Sequence, residues 1–130
     1  NFLLREYEKY QIKAKPIKYI QDMEKNYAWA DIVIARSGAL TVSELAEVGV
    51  ASILIPFPYA VDNHQYFNAK VLNNRDGAKI IMEHKIEDEL EEYMLSLNRK
   101  KCLNMAEKAK ARRRQEASKK IYEYISNHEK

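Results

Sequence analysis

The sequence predicts an α/β fold, in which a parallel sheet carries helices on both of its faces. Two short apolar runs, at 31–35 and 52–56, are each followed by a turn or loop and then by apolar residues at helical spacing. A third such run, at 78–82, follows the second helical segment. Nearly continuous apolar runs of this length are typical of strands that are buried on both faces. Strands that alternate with helices favour a parallel sheet with crossover helices.

The segments before the first apolar run predict three short elements. Leu3–Tyr10 is predicted to form a charged helix. Lys13–Ile20 alternates loosely and contains Pro16, which suits an edge strand because proline cannot donate a hydrogen bond to a neighbouring strand. Asp22–Trp29 is predicted to form a short helix.

Residues 31–56 predict a strand–helix–strand unit. Asp31–Ala35 is the first strand, and Arg36–Gly38 interrupts the apolar run. Gly49 is placed to end the following helix as a C-terminal cap, and Ser52–Pro56 forms the second strand. A unit of this length is a minimal parallel crossover. The apolar face of its helix comprises Ala39, Val42, Leu45 and Ala46.

The pattern then repeats and ends in helices. A helix is predicted at His64–Asn74, and Ala78–Met82 is the third strand. The apolar side of the first of these is expected to hold Phe67, Val71 and Leu72. The remaining predicted helices are Ile86–Leu97, Arg99–Arg113 and Glu116–Ser126. We expect one domain over residues 1–113, incomplete at its N-terminus, and a separate C-terminal helix over residues 114–130.

Composition excludes several classes of protein. A chain of 130 residues suits one domain. Cys102 is the only cysteine, so it can form no internal disulfide, and its helical setting predicts a core thiol. No apolar run reaches the roughly 18 residues of a transmembrane helix, and the start lacks a signal-peptide pattern. Because the chain begins at Asn1 rather than at a methionine, we expect a fragment.

The net charge is +3, and the basic residues concentrate between Arg99 and Lys120. A basic helical face can meet nucleic acid, an anionic lipid surface or water. Solvated helix surface is the favoured interpretation, and no nucleic-acid partner is predicted.

Ligands of open parallel sheets bind at the carboxyl ends of the strands, where the next helices begin. The first such junction is Ser37–Glu44, where Gly38 permits a tight turn and a close approach of the backbone to a ligand. The amides at positions 39–41 and the helix dipole would form an anion site suited to a diphosphate. The alternative is a capping box in which Thr41 begins the helix and Glu44 binds backbone amides. The sequence leaves both interpretations open.

The second junction follows the second strand, where polar side chains precede and open the next helix. Gln65 and Asn68 lie one turn apart, so they share a helix face with His64. Side-chain amides offer both donors and acceptors, which suits the recognition of sugar hydroxyls. The alternative is an N-terminal cap by Asp62 or Asn63 with exposed polar neighbours. The spacing of the histidines predicts no metal site, and no catalytic triad or carboxylate pair is recognisable.

Three segments taken together resemble one family. Ala28–Ala46, Ile53–Pro58 and Asp62–Ala69 are similar, in that order, to the MurG family of bacterial glycosyltransferases. The resemblance runs from about Ile17 to Ile81. It implies the C-terminal half of a GT-B enzyme, a Rossmann-like domain that holds UDP-N-acetylglucosamine. The implied reaction moves N-acetylglucosamine to the undecaprenyl-linked muramyl-pentapeptide, which converts lipid I to lipid II in peptidoglycan synthesis.

The resemblance also implies which residues contact the donor. The backbone of Ile20 would hold the uracil, and Glu44 would accept the ribose hydroxyls. The residues assigned to the diphosphate and its flank are Ala39, Leu40, Thr41, Val42 and Ser43, and those assigned to the sugar are His64, Gln65 and Asn68.

The mechanism that the resemblance implies is inverting and needs no metal or cofactor. The 4-hydroxyl of the acceptor attacks the anomeric carbon, while the helix N-terminus stabilises the departing UDP. The general base, the acceptor site and a glycine-rich loop are expected outside this chain, so no catalytic residue is assigned here and the chain alone is expected to be inactive.

The implied location is peripheral, on the cytoplasmic face of the bacterial inner membrane and against its anionic surface. Two alternatives to this interpretation remain. One is a stand-alone donor subunit of a split transferase that acts on a lipid-linked sugar. The other is a non-catalytic module that binds a UDP-sugar.

Overall fold

The computed structural model describes residues 13–18, 20–59 and 63–110. The helices predicted at Leu3–Tyr10 and Glu116–Ser126 lie outside these residues, as does the boundary predicted after residue 113. The described elements follow one another in the α/β order that the sequence predicts. They are α1 (Met23–Trp29), β1 (Ile32–Ala35), α2 (Ala39–Val48), β2 (Ala51–Leu54), α3 (His64–Asn73), β3 (Ala78–Ile80), a 3-10 helix (Glu83–Lys85), α4 (Ile86–Ser96) and α5 (Arg99–Ala109).

The three described strands form a parallel sheet in the order β1-β2-β3. Every residue of β2 is buried, as the apolar run predicts for a central strand with both faces covered. The same prediction for β1 is wrong, because the side chain of Ile34 is 47% exposed. Side chains alternate between the faces of a strand, and only the face with Val33 and Ala35 packs against the core.

Helix α2 has Gly38 as its N-cap and Gly49 as its C-cap. Gly49 has the left-handed backbone of a C-terminal cap (φ 76°), and its N–H donates to the oxygen of Leu45 at 2.9 Å, as predicted. The capping box predicted from Thr41 and Glu44 is wrong. Thr41 is the third residue inside the helix, and the Val42 N–H already donates to the Gly38 oxygen at 3.0 Å.

The core lies between the sheet and the helices that cover it. Helix α3 contributes Ala69 and Leu72 to the core, together with the buried amide of Asn68. Phe67 lies beside these buried residues and is 39% exposed, so the prediction that it lies on the apolar side of α3 with Leu72 is wrong. The buried apolar cluster comprises Tyr27, Val42, Leu45, Ala46, Val50, Leu54, Ala69, Leu72, Ala78 and Ala109.

Two further predictions need correction at the ends of the described region. No strand forms among the described residues of the segment 13–20, so the predicted edge strand is wrong there. Most of these side chains are exposed, and no described strand pairs with the segment. Helix α5 ends at Ala109 rather than at Arg113, because Lys110 adopts an extended backbone. None of the helices in the described ranges is both long and apolar enough to span a membrane.

Candidate functional site

The start of α2 presents backbone amides at the carboxyl end of β1. The first N–H groups of an α-helix have no acceptor within the helix, and no side chain caps this end. The amides of Ala39, Leu40 and Thr41 occupy these positions, and the helix dipole adds partial positive charge there. The arrangement suits an anion such as a phosphate group.

Gly38 has no conformational reason to be a glycine. Its backbone is ordinary and extended (φ −62°, ψ 153°), which any residue can adopt, so the chain makes no turn here for which glycine is required. A Cβ atom added to Gly38 would meet no heavy atom within 4 Å. The absence of a side chain therefore leaves open space directly before the amides of α2, where a ligand can approach the backbone.

Hydrogen bonds join the residue before Gly38 to the first turn of α3. The Ser37 hydroxyl donates to the backbone oxygen of Gln65 at 2.6 Å. The Asn68 side-chain amide donates in turn to the backbone oxygen of Ser37 at 3.1 Å. Ser37 is fully buried and Asn68 is 4% exposed. The starts of α2 and α3, which hold the predicted diphosphate and sugar contacts, are therefore fixed to each other.

The side chain of Gln65 has a defined orientation. Its Oε1 atom accepts a hydrogen bond from the backbone N–H of Phe57 at 2.8 Å. The acceptor end of the amide is thus engaged with the strand exit of β2, and the Nε2 donor remains available to a ligand hydroxyl. His64 opens the helix and is partly buried, and Asn63 occupies the N-cap position without a side-chain capping bond. Asn63 is thus at the N-cap, as the alternative predicts, but its side chain caps no amide of α3; Asp62 lies outside the described residues.

A cleft of about 370 Å³ lies beside α2, one turn from its start. It brings Ile20 and Glu44 together, as the predicted nucleoside contacts require. Its other lining residues are Gln21, Asp22, Met23, Glu24, Glu47 and Val48. With four carboxylates in the lining, this cleft disfavours phosphate and suits a neutral group that offers hydroxyl donors.

Tyr27 of α1 is only 6% exposed and interacts with Glu44, one of the residues that line this cleft. Burial raises the pKa of the Tyr27 hydroxyl above its ordinary value of 10.0. The Glu44 carboxylate raises this pKa further by its charge and by hydrogen bonding, whereas the hydroxyl of Thr41 acts in the opposite direction. The Tyr27 hydroxyl is therefore a neutral neighbour of Glu44 at physiological pH.

Arg36 ties together the carboxyl ends of all three described strands. It follows β1, its guanidinium donates to the oxygen of Ile55 after β2 at 3.5 Å, and it pairs with Glu83 after β3. It also lies over the ring of Phe57, at 5.5 Å from the centroid. The pair is partly exposed, so its contribution to stability is small, and its main effect is to order the edge on which the site lies.

The structure places the other predicted contacts as follows. Leu40 is 73% exposed beside the open space at Gly38, and Ser43 is partly buried on α2. Val42 is fully buried and its N–H is bonded within the helix, so it serves the core and offers no group to a ligand. Sequence patterns did not single out Arg36 or Tyr27, because their roles depend on partners distant in sequence.

No group of three or more metal-binding side chains occurs in the described ranges. Cys102 is buried, as its helical setting predicts. Burial, with a smaller effect of Asp31, raises the pKa of its thiol. The thiol is therefore protonated at neutral pH and unsuited to nucleophilic catalysis.

Comparison with known proteins places this site in a family context. The family described as "Glycosyltransferase family 28 C-terminal domain" matches residues 1–124. The UDP-N-acetylglucosamine–N-acetylmuramyl-(pentapeptide) pyrophosphoryl-undecaprenol N-acetylglucosamine transferase of Coxiella burnetii (strain Dugway 5J108-111) is 46% identical over 123 residues, which are 92% of this chain and 34% of that protein. The protein of the same name from Azoarcus sp. (strain BH72) is 48% identical over 104 residues, which are 79% of this chain and 29% of that protein.

A solved structure agrees with these relatives. The crystal structure of Acinetobacter baumannii MurG superposes with a TM-score of 0.70 and 36% sequence identity, over 86% of this chain and 36% of that one. The chain spans about a third of the length of the curated relatives that it matches. The parallel sheet with flanking helices is thus the fold of the C-terminal half of a GT-B glycosyltransferase. The chain belongs to the glycosyltransferase family 28 C-terminal domain family.

Proposed function

We propose that this chain is the donor-binding part of a glycosyltransferase that moves N-acetylglucosamine from UDP-N-acetylglucosamine to lipid I, forming lipid II in peptidoglycan synthesis. The observation that carries the proposal is the open space at Gly38. It lies before the amides of α2, the helix that also contributes Glu44 to the cleft. The names of the relatives support the choice of donor and acceptor.

The polarity of the site supports one direction for the donor. The neutral uridine fits the cleft of Ile20 and Glu44, where a carboxylate can accept both ribose hydroxyls. The diphosphate fits the start of α2, which lies about 7.5 Å along the helix axis from Glu44, at about 1.5 Å per residue. The sugar then lies toward Gln65 and Asn68. Ser37 is bonded to the backbone oxygen of Gln65 and to the side-chain amide of Asn68.

This arrangement would act on the leaving group. As the bond between the sugar and the diphosphate breaks, negative charge grows on the β-phosphate. The amides of Ala39, Leu40 and Thr41 are already oriented toward that charge, so stabilising it requires no rearrangement. The acceptor site and the general base belong to the rest of such an enzyme. The proposed location of the whole enzyme is the cytoplasmic face of the inner membrane, where the lipid-linked acceptor resides.

Calorimetric titration with uridine, UDP and UDP-N-acetylglucosamine separates the three parts of the site. Glu44→Ala should weaken all three ligands, by roughly 10-fold or more, because hydrogen bonds to a charged group are lost. Gly38→Ala should weaken UDP and UDP-N-acetylglucosamine and leave uridine unchanged, because its methyl group fills only the phosphate space. Glu91→Ala, on the exposed surface of α4, is the matched control for the lost carboxylate and should bind as the wild type does. Tighter binding of ADP than of UDP, or equal binding by the wild type and Glu44→Ala, would refute the proposal.

A further inference from the structure

We propose that Ser37 is a positioning residue that sets the sugar contacts of α3 relative to the diphosphate contacts of α2. This proposal rests on the proposed function, since it assigns Ser37 a part in the recognition of the same donor. Ser37 itself is fully buried and touches no ligand space. Its effect on the donor must therefore pass through the residues that it holds.

Ser37 is bonded to α3 through both its side chain and its backbone. The hydroxyl donates to the oxygen of Gln65 at 2.6 Å, and the Ser37 oxygen accepts from the side chain of Asn68 at 3.1 Å. Both bonds span about thirty residues of sequence; the bond to Gln65 is partly buried and the bond from Asn68 is buried. Two bonds on one residue fix both the distance and the orientation of the first turn of α3.

Both partners of Ser37 belong to the proposed sugar contacts, and each keeps one amide group that forms no hydrogen bond within the described residues. Gln65 uses Oε1 on the N–H of Phe57, which leaves its Nε2 group as a donor. Asn68 uses its Nδ2 group on Ser37, which leaves its Oδ1 atom as an acceptor. A donor on one residue and an acceptor on the other suit hydroxyls on the same sugar ring. The spacing between them and the amides of α2 depends on Ser37, because Gly38 directly follows it.

This geometry predicts a selective defect in Ser37→Ala. Without the hydroxyl, the first turn of α3 can shift while the amides of α2 and the nucleoside cleft keep their places. UDP should then bind within about twofold of the wild type. The preference for UDP-N-acetylglucosamine over UDP should fall by roughly three- to tenfold, the size expected for the loss of one hydrogen bond.

Ser52→Ala provides the matched control. Ser52 is also a fully buried serine, but no described residue forms a hydrogen bond with its Oγ atom. It lies within β2 and outside the site, so its removal should leave the ratio of the two affinities unchanged. A purely structural effect of removing a buried hydroxyl would lower both affinities together and would not change their ratio.

The test is to measure the affinities of UDP and UDP-N-acetylglucosamine for the wild-type chain, Ser37→Ala and Ser52→Ala at a temperature where all are folded. If Ser37→Ala keeps the wild-type preference, or loses both ligands equally, the positioning role is wrong and the proposed function stands. If the wild type shows no preference for the sugar nucleotide, the proposed function fails and the role of Ser37 fails with it. If Ser37→Ala does not fold, Ser37→Cys is measured instead, because its thiol is a weak donor of similar volume. Its preference for UDP-N-acetylglucosamine over UDP should fall by less than the three- to tenfold expected of Ser37→Ala. An unchanged preference would overturn the proposal.

Discussion

Replacing Ser52 by alanine should stabilise the fold. Ser52 lies in β2 between Val33 of β1 and Ala78 of β3, and it is fully buried. Its hydroxyl finds no hydrogen-bond partner in the described part of the chain. Removing a hydroxyl from water without a compensating hydrogen bond costs about 1–3 kcal/mol. Alanine keeps the Cβ atom and removes only the oxygen, so little packing is lost.

We therefore expect Ser52→Ala to raise the free energy of unfolding by about 1 kcal/mol. For a small domain, whose slope in urea is about 1–3 kcal/mol per molar, the midpoint should rise by roughly 0.3–1 M. Equilibrium unfolding in urea, followed by far-ultraviolet circular dichroism, measures this directly. The slope should not change, because the surface exposed on unfolding stays the same.

Ser37→Ala is the control variant, because it removes a buried hydroxyl that does form a hydrogen bond. The two serines are equally buried, but the hydroxyl of Ser37 donates to Gln65 at 2.6 Å. Its loss should lower the free energy of unfolding by about 1 kcal/mol, because the oxygen of Gln65 loses its donor. Opposite signs for the two variants would support the reasoning. A Ser52→Ala protein that is less stable than the wild type would refute it.

Two further predictions concern packing and pH. Gly77→Ala should lower stability by about 1–3 kcal/mol, because a Cβ atom would lie 2.5 Å from the Cα atom of Ala109. Gly38→Ala should lower stability by under about 1 kcal/mol, because its added Cβ atom would meet no heavy atom within 4 Å. Thermal unfolding of the two variants and the wild type measures this difference. For Tyr27, the folded state holds the hydroxyl proton to higher pH than the unfolded state does, so its stabilising effect is full below 10.0 and is lost as pH rises through the raised pKa. As pH rises from 10.0 through the raised pKa, the stability of the wild type should therefore fall more steeply with pH than that of Tyr27→Phe. Urea unfolding at a series of pH values across this range measures both slopes, and equal slopes would contradict the prediction.

The sequence predicts most of the fold because its signals are local. The apolar run of β2 and the cap at Gly49 depend on neighbours a few residues away, and both form as predicted. Some local signals fail, such as the capping box at Thr41, but the errors in burial occur where a residue's surroundings are set by distant parts of the chain. The exposure of Ile34 depends on what covers one face of β1, and that of Phe67 depends on the rotation of α3 against the sheet.

The candidate site divides in the same way. The amides at the start of α2 follow from the position of the helix, which periodicity predicts. Arg36 and Glu83 follow different strands, so no local sequence pattern predicts that they form an ion pair. The neighbourhood of Tyr27 and Glu44 likewise arises only when α1 packs against α2. Sequence spacing can thus place a helix start at a sheet edge, but only the packed structure determines which side chains it orients.

The adjacent residues Ser37 and Gly38 illustrate why a short motif can serve two purposes. A serine and a glycine after a strand are typical of a turn, and a turn alone would explain both. The structure separates them, because Ser37 is buried with two hydrogen bonds to α3 whereas Gly38 has an ordinary backbone and open space around its Cα atom. Folding therefore accounts for the serine, whereas neither the backbone angles of Gly38 nor its neighbours exclude a side chain there. Glycine is one of the residues favoured at a helix N-cap, and here it also leaves open space before uncapped amides, which is the space that the proposed diphosphate would use. The two residues therefore predict different outcomes on mutation. Ser37→Ala should lower stability and the preference for the sugar nucleotide, whereas Gly38→Ala should weaken phosphate binding with little loss of stability.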